Sequence, residues 1–326
     1  MDALSLVLES VRLEGAVFLN AEFTAPWCIR GQFGLARAKK RLPTADHVVF
    51  FHVLVHGRCR VRLADGAGAA ASEVEVRAGD VVLLSRDDRY VMGSDLQLAP
   101  LETEIPELAT AAQEPDFVLM RHGGSGDAAR FVCGYLGCSQ AVVRPLIAAL
   151  PRMACISIGD GQAMGLLRDL LRVGVQESLE PRPGAEPMLS RLAELIFVEA
   201  LRRYAQGLPP DVKGWLAATR DAQVGRALAL IHEEPGRAWT VDELARRVAL
   251  SRSALADRFA SLVGEPPIQY LTRWRLALAA QALRSGHASI GQIAARSGYE
   301  TEAAFNRAFK REFGAPPAAW RKARSA

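Results

Sequence analysis

Two stretches near the end of this chain are copies of one another, and that repeat limits its possible folds more than any other feature. Leu244-Ala245 in the first copy aligns with Ile293-Ala294 in the second. Ser251, Leu255 and Phe259 align with Thr301, Phe305 and Phe309, and Gly264-Glu265-Pro266-Pro267 aligns with Gly314-Ala315-Pro316-Pro317. The offset is 49 residues before the internal turn and 50 after it, so the second copy holds one extra turn residue.

Each copy carries the local chemistry of a helix-turn-helix. Thr240 precedes Glu243 by three residues and Ser289 precedes Gln292 by three, the spacing of a capping box at a helix start. Small Ala245 and Ala294 leave room for a second helix to cross closely. Gly298 suits a left-handed turn, whereas the first copy has Ala249 there. Ser251 and Thr301 are good N-caps for the second helices, whose Leu255, Phe259, Val263 and Phe305, Phe309, Phe313 face the core. Between the copies, Ile268–Ser285 reads as a helix of about 18 residues spanning roughly 27 Å. Successive major grooves on one face of B-DNA lie roughly 34 Å apart, so such a spacer can present two helices to adjacent turns.

Charge agrees with a polyanion partner for the tail. From Arg220 onward there are 17 Lys and Arg against 10 Asp and Glu, while the preceding residues carry 23 against 26. The length of 326 residues suits two domains, and half the residues are hydrophobic, enough for real cores. No apolar run reaches the roughly 18 residues of a membrane span, and the start lacks a secretory pattern. Five scattered cysteines without paired metal-ligand spacing suit a reducing cytoplasm, where the protein is expected to reside.

The front third reads as short antiparallel strands: Val48–Val55, Cys59–Leu63, Val74–Val76 and Asp80–Leu84, then Phe117–Arg121 and Phe131–Tyr135. Gly57, the stretch Ala64–Ser72 and Ala78-Gly79 punctuate them. Leu98–Asp116, with three prolines and five acidic residues, reads as a loop. Helical period begins near residue 143, with Met164, Leu167, Leu170 and Leu171 on one face, and Glu180–Pro187 breaks it. Met188–Tyr204 is a helix with two apolar stripes, Leu189, Leu192, Ile196 and Phe197, Leu201, Tyr204. Such a helix must be covered on two sides, by its own domain alone or with a second subunit. Leu208–Lys213 reads as a linker.

The tail resembles the DNA-binding domain of the AraC/XylS family of bacterial regulators. The residues that carry this are Trp239–Ala245, Ser251–Phe259, Tyr270–Arg275, Ile293–Phe313 and Pro316–Arg321. The front half is similar to the cupin-type sensor attached to one branch of that family, through Phe51-His52-Val53, Ala78–Leu84, Cys133-Gly134-Tyr135 and Leu189–Tyr204. The implied fold is α+β and multidomain. It has a cupin-like β-barrel (residues 1–140), a helical dimerisation segment (141–207), a linker (208–220) and an all-α domain with two helix-turn-helix units (221–326). The implied function is sequence-specific transcription regulation. The partners are double-stranded DNA, a small-molecule effector held in the barrel, RNA polymerase and a second copy in a homodimer. No membrane, cofactor or catalytic residue is expected.

Base contacts belong to the exposed face of each recognition helix near its start. In the first copy these are Arg252, Ser253, Ala256 and Asp257, with Arg258 nearby. The family pattern places base contacts at Ser253, Ala256 and Asp257, although many relatives are basic at the last. Asp257 can accept from a cytosine amino group and Ala256 can pack on a thymine methyl, or Asp257 merely pairs with Arg258. In the second copy the set is Thr301, Glu302, Ala303, Asn306, Arg307 and Lys310. Arg307 suits guanine, Asn306 adenine and Lys310 phosphate. Arg273 and Arg275 on the spacer are further phosphate candidates or merely solvated.

In the barrel, His52 and His56 stand four apart on one strand and are expected to share a face, with His47 on the other. Tyr90 occupies the place of the family's second-motif histidine. With that ligand missing, no metal site is expected, and His52, His56 and Tyr90 become effector candidates. Cys133 and Cys138 are five apart, which points them to opposite faces and argues against a redox pair unless a bulge intervenes. The rival readings are a redox-sensing regulator, a cupin metalloenzyme with a DNA-binding tail, and an effector-independent DNA-binding or structural protein.

Overall fold

The computed structural model describes the chain apart from residues 12, 33–34, 36–37, 39–41, 43–44, 66–72, 104–117, 159–164, 166–168, 171–172, 175, 177–182, 285, 287 and 323–326. Its backbone contacts divide it into two units. One comprises Leu13–Cys138 and Leu150–Gly207, the other Met1–Arg12, Ser139–Ala149 and Leu208–Ala326. The expected stripe at Met164, Leu167 and Leu171, and most of the loops at 64–72 and 98–116, lie outside the described residues.

Among the described residues, eleven strands form two sheets in the first unit: β1 (Glu14–Thr24), β2 (Cys28–Gly31), β3 (His47–His56), β4 (Arg58–Leu63), β5 (Val74–Arg77), β6 (Asp80–Leu84), β7 (Tyr90–Gly93), β8 (Leu101–Thr103), β9 (Val118–Gly123), β10 (Ala128–Cys138) and β11 (Met153–Ser157). One sheet runs β11-β6-β3-β10-β1-β9 and the other β5-β4-β7-β2-β8. Alternate residues of β3, β10 and their neighbours point inward. Phe23, Phe50, Leu54, Tyr90 and Phe131 are thereby packed, together with Trp27 from the turn between β1 and β2, into one apolar core drawn from both sheets. At the turn between β5 and β6, Gly79 takes φ +97° and the Asp80 carboxylate accepts from the Arg77 amide at 2.8 Å. This is the Ala78–Leu84 signature expressed as geometry.

Two expectations are corrected here. Part of the presumed loop at Leu98–Asp116 is β8, which pairs parallel with β2, Ile29 opposite Leu101. Three residues are too few to show a period. Of the helices α1 (Ala3–Ser10), α2 (Gln140–Ala149) and α3 (Ala185–Gly207), the last begins inside the supposed break at Glu180–Pro187. Pro187 stands in its first turn, where no partner for a backbone N–H is available anyway. Of the two covers left open for α3, the chain supplies one from its own domain. Leu189, Leu192, Ile196, Phe197 and Leu201 are all buried within the chain, and Tyr204 is half-buried. The helix packs on β1, β10 and β11. Both stripes are covered without a second subunit, and the large apolar residues left exposed on α3 are Met188 (38%) and Leu195 (55%).

The second unit is helical: α1 and α2 join α4 (Trp215–Ala218), α5 (Ala222–Glu233), α6 (Val241–Arg247), α7 (Arg252–Val263), α8 (Pro267–Arg284), α9 (Ile290–Arg296), α10 (Glu302–Phe313) and α11 (Pro317–Lys322). The residues from Leu208 to Lys213 form no helix or strand. Within this unit α1 packs on α5 and α2 on α8. Ser251 and Thr301 cap α7 and α10 by accepting from the Ala254 and Ala304 amides, and Gly264 and Gly314 close them in the left-handed region. The turns before them also match, Gly298 at φ +74° and Ala249 at φ +56°. Ala249 is the only non-glycine residue at positive φ among those described, and its methyl makes that conformation unfavourable.

Ser289 and Gln292 complete a reciprocal capping box. Thr240 accepts from the Glu243 amide, but the Glu243 carboxylate turns to Arg237 at 2.5 Å instead of back to the cap. The first box is therefore half formed, because a guanidinium outcompetes a neutral amide for a carboxylate.

Candidate DNA interface and sensor site

On α7, Leu255 and Phe259 are fully buried, which turns Arg252, Ser253, Asp257 and Arg258 outward and leaves Ala256 half-buried. Arg252 lies 3.6 Å from Asp242, both mostly exposed, a pairing too solvated to hold the side chain from another partner. Arg258 is differently placed. Its Nε and Nη2 donate to one oxygen of Asp221 at 2.9 and 2.6 Å, and that carboxylate also caps α5. Partial burial raises the Asp221 pKa, but the hydrogen bond from Arg258 and those from the Gln223 and Val224 amides outweigh it and leave it below the usual carboxylate value. The partner of Arg258 is therefore Asp221 rather than Asp257.

On α10, Phe305 and Phe309 are buried, while Glu302, Ala303, Arg307 and Lys310 are exposed and Asn306 is half-buried. The Thr301 hydroxyl serves the helix cap. The two spacer arginines turn inward. Arg273 pairs with the buried Glu265, and Arg275 donates to the carbonyls of Pro235 and Arg237. Sequence gives no warning of this, since an arginine on a helix surface looks the same whether its partner is phosphate or backbone.

The first unit's barrel brings together two of the three effector candidates. His52 is 5% exposed, its Nδ1 lies 2.8 Å from the Cys133 sulfur, and its ring sits 5.1 Å from Tyr90 and 5.2 Å from Phe50. Its Nε2 has no hydrogen-bond partner among the described residues. Burial lowers the His52 pKa to about 3, so the ring is neutral, and burial pushes the Cys133 and Tyr90 pKa values far up. His56 does not join them. Leu54 faces Phe131 but His56 faces Arg130, so Val55 is an extra residue in a β-bulge, and His56 is exposed. His47 instead bonds the Ser85 carbonyl through Nε2 at 2.9 Å. A small recess is lined by Val48, Phe50, Leu84, Asp87, Asp88 and Tyr90, and the Phe50 and Tyr90 rings also flank His52.

All five cysteines are free thiols. Cys133 points into the barrel core, whereas Cys138 donates to the His47 carbonyl at 3.8 Å. Burial raises the Cys155 thiol to about 11 and those of Cys133 and Cys59 further, which keeps them protonated and slow to react. Among the described residues no three His, Cys, Asp or Glu side chains are grouped to hold a metal, and no helix is long and apolar enough to cross a membrane.

A second buried imidazole sits in the helical unit. The Tyr270 hydroxyl accepts from Trp215 Nε1 at 2.7 Å and donates to His232 Nε2 at 2.8 Å, with Trp274 edge-on at 4.3 Å. Burial lowers its pKa to about 3 as well. Below about pH 6.5 the unfolded chain therefore binds protons at both histidines that the native fold refuses. Stability is complete above that pH and falls as pH drops toward 3. Each histidine should cost about 1.4 kcal/mol by pH 5.5. Urea midpoints at pH 7.0 and 5.5 check this. Replacing His232 with Gln should flatten the acid slope of the helical unit alone, and an unaltered slope would contradict it.

Comparison with known proteins bears directly on these features. The profile of a family described as Cupin matches residues 2–206, and that of one described as Helix-turn-helix domain matches residues 244–323. An AraC-like transcription regulator of Streptomyces lividans is 34% identical over 279 residues, covering 85% of this chain and 88% of that protein. The chain belongs to the AraC-type transcription regulators. This AraC-type regulator is also 29% identical to the transcriptional regulator AlkR of Acinetobacter baylyi, over 99% of both chains. Among solved structures it is similar to the DNA-binding domain of AdpA in complex with a target DNA, at 32% identity, covering 32% of this chain and 92% of that one, with a TM-score of 0.30. Membership makes this protein a DNA-binding transcription regulator, with its helix-turn-helix domain at residues 244–323.

Proposed function

We propose that α7 and α10 dock in successive major grooves of one duplex. The observation that carries this is a single helix, the 18-residue α8, joining two units whose recognition helices are capped and turned alike. Its length of about 27 Å approaches the roughly 34 Å repeat of the groove. Ser253, Ala256 and Asp257 read one half-site and Asn306 and Arg307 the other. Arg252 and Lys310 meet phosphate, while Thr301 and Glu302 border the second contact. Arg258, tied to Asp221, supports α7 from behind.

The barrel binds a small molecule beside His52 and Tyr90, and its occupancy biases how the DNA-binding tail is presented. That effect requires different affinity for two arrangements of the protein. The unsatisfied Nε2 of His52, buried among Phe50 and Tyr90, suits a mostly apolar effector with one polar group. The protein acts by binding rather than catalysis, in the cytoplasm, with RNA polymerase as its partner in transcription. A homodimer keeps a narrower basis than the sequence offered, the exposed Met188 and Leu195.

Arg307→Ala tests the base-reading assignment. A bidentate arginine contact to guanine is worth about 1–3 kcal/mol, so affinity for the selected duplex should fall roughly tenfold to a hundredfold. Preference at one base position should relax with it. Selection from random DNA with both proteins measures this, and an unchanged preference profile would remove Arg307 from the reading set.

A further inference from the structure

The seam between the two helix-turn-helix units is built around one guanidinium. Arg275 on α8 donates from Nε to the Pro235 carbonyl at 2.6 Å and from Nη2 to the Arg237 carbonyl at 2.6 Å. Both acceptors lie in the loop between α5 and α6, in the first helix-turn-helix unit. The other side of the guanidinium meets the turn of the second. A Cβ built on Gly298 would stand 2.9 Å from Arg275 Cζ and 2.8 Å from the Gly236 carbonyl. A Cβ on Gly236 would stand 3.0 Å from the Arg296 carbonyl. Two glycines thus let two stretches of backbone close upon one side chain.

The loop that offers those carbonyls is itself braced. Arg237 pairs with Glu234 at 2.8 Å and Glu243 at 2.5 Å, and its guanidinium lies 4.4 Å from the Trp239 ring centre. Trp239 Nε1 donates to the Glu234 carbonyl at 3.0 Å. The half-formed capping box has its explanation here, since Glu243 is engaged in holding this loop. Arg275 is half-buried, so its charge depends on the two carbonyls for solvation. A planar fork matches a pair of fixed acceptors as no ammonium can.

We infer that Arg275 is a positioning residue that locks the spacing of the two recognition helices and thereby selects the separation of half-sites the protein accepts. Its partners are backbone carbonyls of its own chain rather than phosphates. A rigid seam makes docking of the second helix intramolecular at high effective concentration, but only at one spacing. Loosening it lowers affinity at the correct spacing and softens the penalty at wrong ones. The inference rests on the two-groove reading. That reading fails if wild-type protein binds a single half-site as tightly as the whole, a result separate from those that follow.

The test uses the full chain and a duplex that it selects from random DNA. The same duplex with one half scrambled, and with one base pair inserted between the halves, completes the set. Arg275→Lys keeps the charge and loses the fork. It should bind the selected duplex about tenfold more weakly, about 1.4 kcal/mol, and the scrambled duplex within about twofold of wild type. The penalty for the inserted base pair should shrink. Gly236→Ala, which crowds the same seam without touching Arg275's charge, should reproduce this pattern. It decides alone if thermal melting shows Arg275→Lys to be unfolded. Equal losses on selected and scrambled duplexes, or an unchanged insertion penalty, would overturn the inference.

Discussion

Phe309→Ala should unfold the second helix-turn-helix unit while the barrel stays intact. Phe309 is fully buried, with ring centres of Phe305, Phe313 and Trp320 at 5.5, 4.6 and 5.8 Å. Leu276, Leu283 and Ile293 complete that core. Truncating such a phenylalanine costs about 3–5 kcal/mol, through lost burial and the cavity left behind. A small domain has only about 5–15 kcal/mol in total. Trp320 rests on both Phe309 and Phe313, so α11 loses its anchor together with α10. Hydrogen exchange should show α9, α10 and α11 losing protection while β3 and β10 keep theirs. DNA affinity should fall to that of one half-site. Loss of protection in the barrel strands as well, or retained affinity, would contradict the separate core assigned to this unit.

How much of this was legible in the sequence follows from the range of the interactions. Caps and turns are local, so Ser251, Thr301, Ser289 with Gln292, and even the unusual Ala249 stood where the repeat placed them. The core phenylalanines of α10 were legible for the same reason, through helical period. Strands β1, β2, β7 and β11 were not. β2 and β7 are four residues each, and β1 mixes Glu14, Asn20 and Glu22 into its apolar positions. Their order in the sheets depends on pairing between distant segments. That Cys133 would be the partner of His52 depends on the register of β3 against β10, and His56 was misplaced by one bulge in the same register. The cover over both stripes of α3 likewise comes from β1, β10 and β11, residues far away in the chain. Arg275 and Arg258 show the limit most clearly. Their charge was visible, but not that Pro235, Arg237 and Asp221 would claim it.

The second large effect concerns the phase of the two half-sites. With α7 and α10 joined through α8, the second helix binds in the presence of a high local concentration of its own half-site. Linkage of this kind exceeds the affinity of one module by about 10²–10⁴, and it vanishes when geometry forbids both contacts at once. Five added base pairs rotate one half-site by about half a turn, since a full turn takes about 10–10.5, and carry its major groove to the far face of the duplex. An 18-residue helix cannot reach around.

Fluorescence anisotropy on the selected duplex, on the same duplex with one half scrambled, and on a version with five base pairs inserted between the halves is therefore the decisive measurement. The insertion should weaken binding by about 10²–10⁴, down to the level of the scrambled duplex. Binding that ignores the insertion would mean that the two recognition helices do not grip one face of a single duplex.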